Sequence, residues 1–115
     1  MKQFWLCLAV AAMPLANSAS AADAGSITVI SPKDGATVSG GGNRLEYNVH
    51  LSPNGSHLHI YIDNQDPIIA KNVSNCPCGI GLPALSPGKH AIAVKEATAG
   101  HALTGVQSTV TVNVK

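Results

Sequence analysis

Gly, Pro, Asn and Asp recur about every eight to twelve residues after residue 25, and this spacing constrains the fold more than any other feature. These residues end regular elements, so the segments between them are too short for ordinary helices. None of those segments shows a sustained helical period of apolar residues. The chain is therefore predicted to be all-β and built from short strands.

Several segments alternate apolar and polar residues, which is typical of strands with one buried face. The clearest case runs from Leu45 to Leu51. The same alternation appears in residues 56–63 (SHLHIYID), 90–95 and 108–114. About seven such strands in roughly 90 residues predict an immunoglobulin-like β-sandwich.

The first residues of the chain predict a secretory signal peptide. Lys2 precedes an apolar run, and a stretch of small residues follows it. The run is shorter than the roughly 20 residues that span a bilayer, so it indicates cleavage and no membrane span afterwards. We expect residues 1–22 to be removed, with Cys7 among them. Residues 23–115 would then form one periplasmic or secreted domain.

The charge of this predicted mature domain argues against binding to polyanions. The full chain has 7 Lys and Arg residues and 6 Asp and Glu residues, and removal of Lys2 leaves six of each. A formally neutral domain lacks the basic surface that nucleic acids and anionic lipids require. No nucleic-acid partner is therefore predicted.

Three stretches resemble a group of short exported bacterial domains that are immunoglobulin-like in fold and mostly uncharacterised. The stretches are residues 30–38 (ISPKDGATV), 56–63 (SHLHIYID) and 87–94 (PGKHAIAV), the last with a later Gly-His pair. The resemblance covers nearly the whole predicted mature domain and implies the sandwich fold. It implies no established activity, and the Cys-Pro-Cys loop departs from the pattern. The histidines of the pattern correspond to His57, His59, His90 and His101.

Antiparallel pairing in such a sandwich would bring three histidines to one end. His57 and His59 begin a strand on its outer face, and the penultimate strand runs beside it in the opposite direction, ending near His101. His90 begins that penultimate strand and is expected about 20 Å away. His50 is expected near the same end but on the outer face of the other sheet.

The spacing of the two strand histidines suits a metal site. Residues i and i+2 of a strand share one face with Cβ atoms about 6 to 7 Å apart, from which two imidazoles can converge on one ion. With His101 as a third ligand, the set suits Cu(II) or Zn(II). The sequence therefore predicts copper or zinc at His57, His59 and His101. The alternative is that the two strand histidines are only the polar residues of a half-exposed face.

Cys76 and Cys78 flank a proline and are the only cysteines of the predicted mature domain. In an oxidising compartment they are expected to form a disulfide, although it closes a very small loop. A second interpretation is a thiolate pair for Cu(I) or Zn(II), and a third is an intermolecular or redox role. Their loop is expected to emerge at the end of the histidine cluster. In the second interpretation, Cys76 and Cys78 are additional ligands of the predicted metal site.

Other polar residues carry no recognisable catalytic pattern. Asp34, Asp63 and Asp66 lie in or beside turns, where such side chains usually cap their own backbone. Ser, His and Asp occur without catalytic spacing, so an enzyme is not predicted. The leading hypothesis is an exported metal-binding or carrier domain. The alternative is a non-catalytic module that binds an envelope protein or a polysaccharide, and no oligomeric state is predicted.

Overall fold

A computed structural model describes residues 24–115 of the chain. The elements in this range are the strands β1 (Ser26–Ser31), β2 (Thr37–Val38), β3 (Arg44–His50), β4 (His57–Ile62), β5 (Ile68–Ala70), β6 (Cys78–Gly81), β7 (Gly88–Ala97) and β8 (Leu103–Val114). No helix within these residues is long and apolar enough to cross a membrane. The predicted signal peptide, residues 1–22 with Cys7, lies outside the described range.

The strands form two sheets. The first has the order β1-β3-β6, and the second has the order β2-β8-β7-β4-β5. Neighbouring strands are antiparallel except β2, which pairs parallel with β8. The predicted all-β, immunoglobulin-like sandwich is confirmed, with eight strands where about seven were expected.

The turn between β1 and β2 carries the chain from the first sheet to the edge of the second. Gly35 has a φ of 84°, which glycine adopts at little cost. Its amide donates to the Thr111 carbonyl at 2.6 Å, and the Asp34 carboxylate accepts from the Thr111 amide at 2.8 Å. The prediction that Asp34 caps its own turn is wrong, because its side chain ties this turn to β8.

Alternating side chains fill the space between the two sheets. The aliphatic core includes Leu45, Leu58, Ile60, Ile62, Ile92, Val94, Val110, Val112 and Val114. Burying one such side chain contributes about 1.5 to 3 kcal/mol. Tyr47 is also fully buried, and its hydroxyl donates to the Asn72 carbonyl at 2.8 Å, so its polar atom is paired. The inward positions that the alternation predicted for β4 and β8 are confirmed.

β7 and β8 extend further towards each other than the sequence predicts. The alternation indicated strands over residues 90–95 and 108–114, but cross-strand pairing continues as far as Ala97 opposite Leu103. Hydrogen bonding between the strands extends them through residues whose side chains show no clear alternation. Residues 98–102 alone connect β7 to β8, so the third histidine lies in a tight turn at the end of the sheet.

Candidate functional site

β4 presents His57 and His59 on the outer face of the five-stranded sheet, because Leu58 and Ile60 occupy the alternate, core-facing positions. Antiparallel pairing with β7 sets His57 opposite Ala97, the last residue of β7. The turn of residues 98–102 therefore begins beside the start of β4. It brings the His101 side chain to the two strand histidines, as the sequence predicts.

One nitrogen from each of the three imidazoles points at the same small space. His57 Nε2 lies 3.1 Å from His59 Nε2, and each of these atoms lies 3.2 Å from His101 Nδ1. Three nitrogens held about 2.0 to 2.1 Å from one tetrahedral metal ion are about 3.3 Å apart. The three nitrogens are thus within a few tenths of an ångström of a shared coordination geometry. We call His57, His59 and His101 the histidine cluster.

The other ring nitrogens of the strand histidines have oxygen partners. His57 Nδ1 lies 3.2 Å from Ser56 Oγ, and His59 Nδ1 lies 3.2 Å from the Tyr61 hydroxyl. When each Nδ1–H donates to its oxygen, each Nε2 carries a lone pair directed at the centre of the cluster. Such outer hydrogen bonds commonly orient histidines that bind metals. Ser56 and Tyr61 were not predicted as part of the site. The signal in the sequence was their spacing, since Ser56 directly precedes His57 and Tyr61 follows His59 by two residues.

The electrostatics of the cluster keep the strand imidazoles neutral. Burial lowers the pKa of His57 below its ordinary value, and the charges of His101 and Lys71 lower it further. Burial also lowers the pKa of His59, with added effects from His57 and His101. Neutral imidazoles offer lone pairs, and lone pairs directed at one another repel unless a cation lies between them. The arrangement can therefore stabilise one positive ion at its centre.

The exposure of the strand histidines differs from the expectation of a half-exposed face. His57 and His59 are each only 5% exposed, although they lie on the outer side of the sheet. Their rings contact each other and the ring of His101, with centroids 4.7 to 5.4 Å apart. His101 itself is exposed, so the cluster is covered by the sheet on one side and opens to solvent beside His101.

The backbone of His101 is held in an unfavourable conformation. Its φ is 71°, in the left-handed region that side chains other than glycine rarely adopt. Its amide donates to the Thr98 carbonyl at 2.8 Å, and the Ala102 amide donates to Thr98 Oγ1 at 3.2 Å. These hydrogen bonds fix the turn that directs the imidazole towards β4.

The two cysteines are not part of the cluster. Cys76 and Cys78 form a disulfide, and β6, which begins at Cys78, belongs to the three-stranded sheet. Their loop leaves β5 beside the start of β4, as expected, but then crosses to the other sheet. Sulfurs bonded to each other provide no thiolate, so the structure departs from the interpretation of a metal-binding thiolate pair. The prediction is corrected to a ligand set of three histidines.

His90 lies at the other end of β4, as predicted. Its Nδ1 contacts Asp63 Oδ2 at 2.5 Å, and Asp63 Oδ1 accepts from the Ala91 amide at 2.9 Å. Asp63 therefore joins the end of β4 to the start of β7, and the prediction that it caps its own turn is wrong. His50 is exposed at the end of β3, in the other sheet.

Ser86, His90 and Asp63 follow one another in space in the order of a catalytic triad. However, His90 Nε2 lies 2.7 Å from the Ser86 carbonyl oxygen and 3.5 Å from its hydroxyl. A nitrogen that donates to a carbonyl oxygen has no lone pair with which to accept the hydroxyl proton. The hydrogen bonds to Asp63 and to the Ser86 carbonyl raise the pKa of His90. Ser86, His90 and Asp63 therefore form hydrogen bonds that join neighbouring segments, and they do not have the arrangement of a nucleophile and its base.

Glu96 is a buried residue that the sequence analysis missed. It follows Ile92 and Val94 at the next inward position of β7 and is fully buried. Its carboxylate accepts hydrogen bonds from the Ser52 amide at 2.8 Å, the Ser52 hydroxyl at 2.5 Å and the Thr104 hydroxyl at 2.6 Å. Burial alone raises the pKa of Glu96, but these hydrogen bonds outweigh burial and leave it lowered. The continued alternation was the available signal.

Glu96 also determines how the chain enters β4. A Cβ atom on Gly55 would lie 2.5 Å from Glu96 Oε2, so the loop approaches the carboxylate more closely than any residue with a side chain could. The next amide, that of Ser56, donates to the Ala97 carbonyl at 2.8 Å. The loop directly before His57 is therefore held by β7 on the core side, opposite the histidine cluster.

Comparison with known proteins identifies the fold. No family model and no curated protein matches the chain. A solved structure described as "Structures of Clostridium thermocellum CbhA fibronectin(III)-like modules" matches with a TM-score of 0.57 and 20% identity. The match covers 77% of this chain and 96% of that one. The fold is fibronectin type III-like. This likeness confirms the immunoglobulin-like sandwich that the sequence resemblance implied, while the exported location stays a prediction.

Proposed function

We propose that the domain binds one transition-metal ion, copper or zinc, at the histidine cluster. The observation that carries this proposal is the convergence of three imidazole nitrogens to within 3.1 to 3.2 Å of one another. Neutral nitrogen ligands suit both metals, and sites of this kind generally bind Cu(II) more tightly than Zn(II). Copper is therefore the preferred ion.

The role that fits such a site is storage, buffering or delivery in the periplasm or outside the cell. The cluster opens to solvent beside His101, so an ion can enter and leave without disturbing the core. This role combines the predicted signal peptide with a small, rigid sandwich. It requires no chemistry on a substrate.

The proposal is tested with purified residues 23–115 by metal content and competitive titration with copper and zinc. We expect one equivalent of copper in the wild type and a loss of at least about 100-fold in affinity in His57→Ala/His59→Ala, because two of three ligands are removed. His50→Ala is the matched control, since it removes an exposed histidine from the other sheet. Equal, weak binding in the wild type and the double variant would contradict the proposal.

A second candidate function is a docking module for an envelope protein or a polysaccharide. The observation in its favour is that Ile69 and Leu103 are exposed by 38% and 47%, respectively. Ile69 pairs with His59 across β4 and β5, and Leu103 pairs with Ala97 across β7 and β8, so both lie on the outer face of the five-stranded sheet. Capture of an envelope component that is lost in Ile69→Ser/Leu103→Ser and unaffected by chelators would favour this function.

A further inference from the structure

The histidine cluster provides three nitrogen ligands and no negative charge. Within residues 24–115, the His, Cys, Asp and Glu side chains that converge here are His57, His59 and His101 alone. A Zn(II) or Cu(II) ion held by three nitrogens takes at least one further ligand. The described part of the chain brings no carboxylate or further imidazole to that fourth position, so it is available to a ligand from solution.

The acidic side chains of residues 24–115 lie away from the cluster. Glu46 is on the three-stranded sheet, Asp34 and Asp63 bind backbone amides, Asp66 lies in the turn after β4, and Glu96 is inside the core. A divalent ion bound by three neutral imidazoles would therefore keep both of its charges. Such a charge in a partly buried site attracts an anion from solution.

Two lysines lie near the cluster, Lys95 on the outer face of β7 and Lys71 after the end of β5. Lys95 pairs with His59 across β4 and β7, and its Nζ lies 5.1 Å from the centre of the Tyr61 ring, beside the tyrosine whose hydroxyl contacts His59. Lys71 is exposed directly after Ala70, which pairs with Leu58, so its backbone lies beside the start of β4 and His57. Residues 23–115 have six basic and six acidic side chains, and two of the basic ones are these lysines.

We infer that the metal ion binds together with a small oxygen-donor anion of the carboxylate class, which occupies the fourth coordination position and is attracted by Lys71 and Lys95. The inference rests on the proposed function, because the position exists only when a metal is bound. Without the anion, a divalent ion and two ammonium groups repel one another. With it, one charge of the metal is neutralised and both ammonium groups gain an opposite charge nearby.

The test uses the copper-loaded domain in a buffer free of chloride and carboxylates. Azide is added as the probe, because an anion that binds Cu(II) changes its visible absorption and electron paramagnetic resonance spectra. Acetate is then added to displace azide. The variants are Lys71→Gln/Lys95→Gln and, as a control with the same loss of charge, Lys33→Gln/Lys89→Gln. Lys89 lies at the far end of β7 and Lys33 in the turn after β1.

In the wild type we expect azide to change the copper spectrum and acetate to reverse the change. Lys71→Gln/Lys95→Gln should keep its copper and bind azide at least about threefold more weakly, since each exposed charge contributes modestly. The control should match the wild type. A copper spectrum that azide leaves unchanged, or equal azide affinity in the two lysine variants, would overturn the inference. Both results leave histidine-dependent copper binding intact, whereas failure of the proposed function would appear as absence of that binding.

Discussion

At the level of single residues, the left-handed backbone of His101 lowers the stability of the fold while it directs the imidazole towards the other two histidines of the cluster. A side chain other than glycine in this region costs about 1 to 2 kcal/mol, and here the cost accompanies a side chain aimed at two other histidines. Strain of this kind commonly occurs where function constrains the backbone. Replacing His101 with glycine should therefore lower metal affinity and raise stability.

The first prediction concerns His101→Gly. Glycine adopts a φ of 71° without strain, so we expect the metal-free variant to be more stable than the wild type by up to about 1 kcal/mol. Copper affinity should fall at least about tenfold, because one of three ligands is lost. Urea unfolding with a chelator measures the first effect, and competitive titration measures the second. A variant that loses stability and keeps its copper affinity would contradict both expectations.

The second prediction concerns the pH dependence of the Asp63–His90 contact. The hydrogen bond to Asp63 raises the pKa of His90 above its ordinary 6.5, so this contribution to stability is complete below about pH 6.5 and is lost as pH rises through the raised pKa. His90 and the Ala91 amide lower the pKa of Asp63 below 3.8, so its contribution is complete above pH 3.8 and is lost as pH falls through the lowered pKa. The contact is therefore strongest between these two values.

We expect the metal-free wild type to lose stability as the pH rises above 6.5, and Asp63→Asn to lose much less. Urea unfolding at several pH values in this range measures the difference. Asp66→Asn, which changes an exposed acid of the same turn, should behave like the wild type. If the free energy of unfolding falls equally with pH in all three proteins, the Asp63–His90 contact does not contribute to stability. These pH values are all above 6.5, where the titration of His57 and His59 does not interfere, because the pKa values of both are lowered below 6.5.

At the level of elements, the hairpin of β7 and β8 organises both sides of the end that carries the histidine cluster. Between the pairs Lys95–Gln107 and Ala97–Leu103, β7 advances two residues and β8 advances four, so β8 contains a bulge. Gly105 in this bulge has a φ of 100°, and Thr104 directs its hydroxyl to Glu96. The hairpin thus holds the loop before β4 from the core side and supplies the His101 turn on the outer side.

The third prediction concerns Glu96→Gln, which keeps the volume and removes the charge. An amide offers fewer acceptor sites to the three donors from Ser52 and Thr104, so we expect a loss of roughly 1 to 3 kcal/mol in the free energy of unfolding. Copper affinity should also fall, because the loop into His57 is less firmly held. Glu46→Gln, in an exposed position of β3, is the control and should change neither quantity. An unaltered unfolding curve in the Glu96 variant would refute this role.

The elements show why the histidine cluster was predicted and Glu96 was not. Period-two alternation placed His57 and His59 on one face, and antiparallel pairing then determined which turn lay beside them. Both arguments depend on backbone geometry, which side-chain chemistry rarely changes. Glu96 required the assumption that a carboxylate can occupy an inward position, and its donors are Ser52, in a loop 44 residues away in sequence, and Thr104, in β8. The path of the cysteine loop to the other sheet likewise depended on contacts that alternation does not encode.

For the whole molecule, a bound ion would connect segments that are 44 residues apart in sequence, at His57 and His101. Because the ligands converge only in the folded chain, metal binding stabilises the folded state by mass action. The stabilisation depends on free metal concentration relative to the dissociation constant. It should therefore appear as a metal-dependent melting temperature.

The fourth prediction is that copper at 100 times its dissociation constant stabilises the domain by about 2.7 kcal/mol, a rise of roughly 10 to 20 °C for a domain of this size. Thermal unfolding followed by circular dichroism with and without a chelator measures the shift. His57→Ala/His59→Ala should show no copper-dependent rise, and His50→Ala should match the wild type. A similar rise in the double variant would mean that copper binds elsewhere.

All three histidines of the cluster belong to the five-stranded sheet or to the turn between β7 and β8, and none comes from the three-stranded sheet. The ion can therefore be released when the five-residue turn moves aside, while the two layers of the sandwich remain closed. If the domain binds metal as proposed, the rate of metal exchange would then be independent of the rate of global unfolding, and a very stable domain could still release its ion quickly. Under the proposed function, mutations that stabilise the core would lengthen the lifetime of the folded protein without changing how long the ion stays bound.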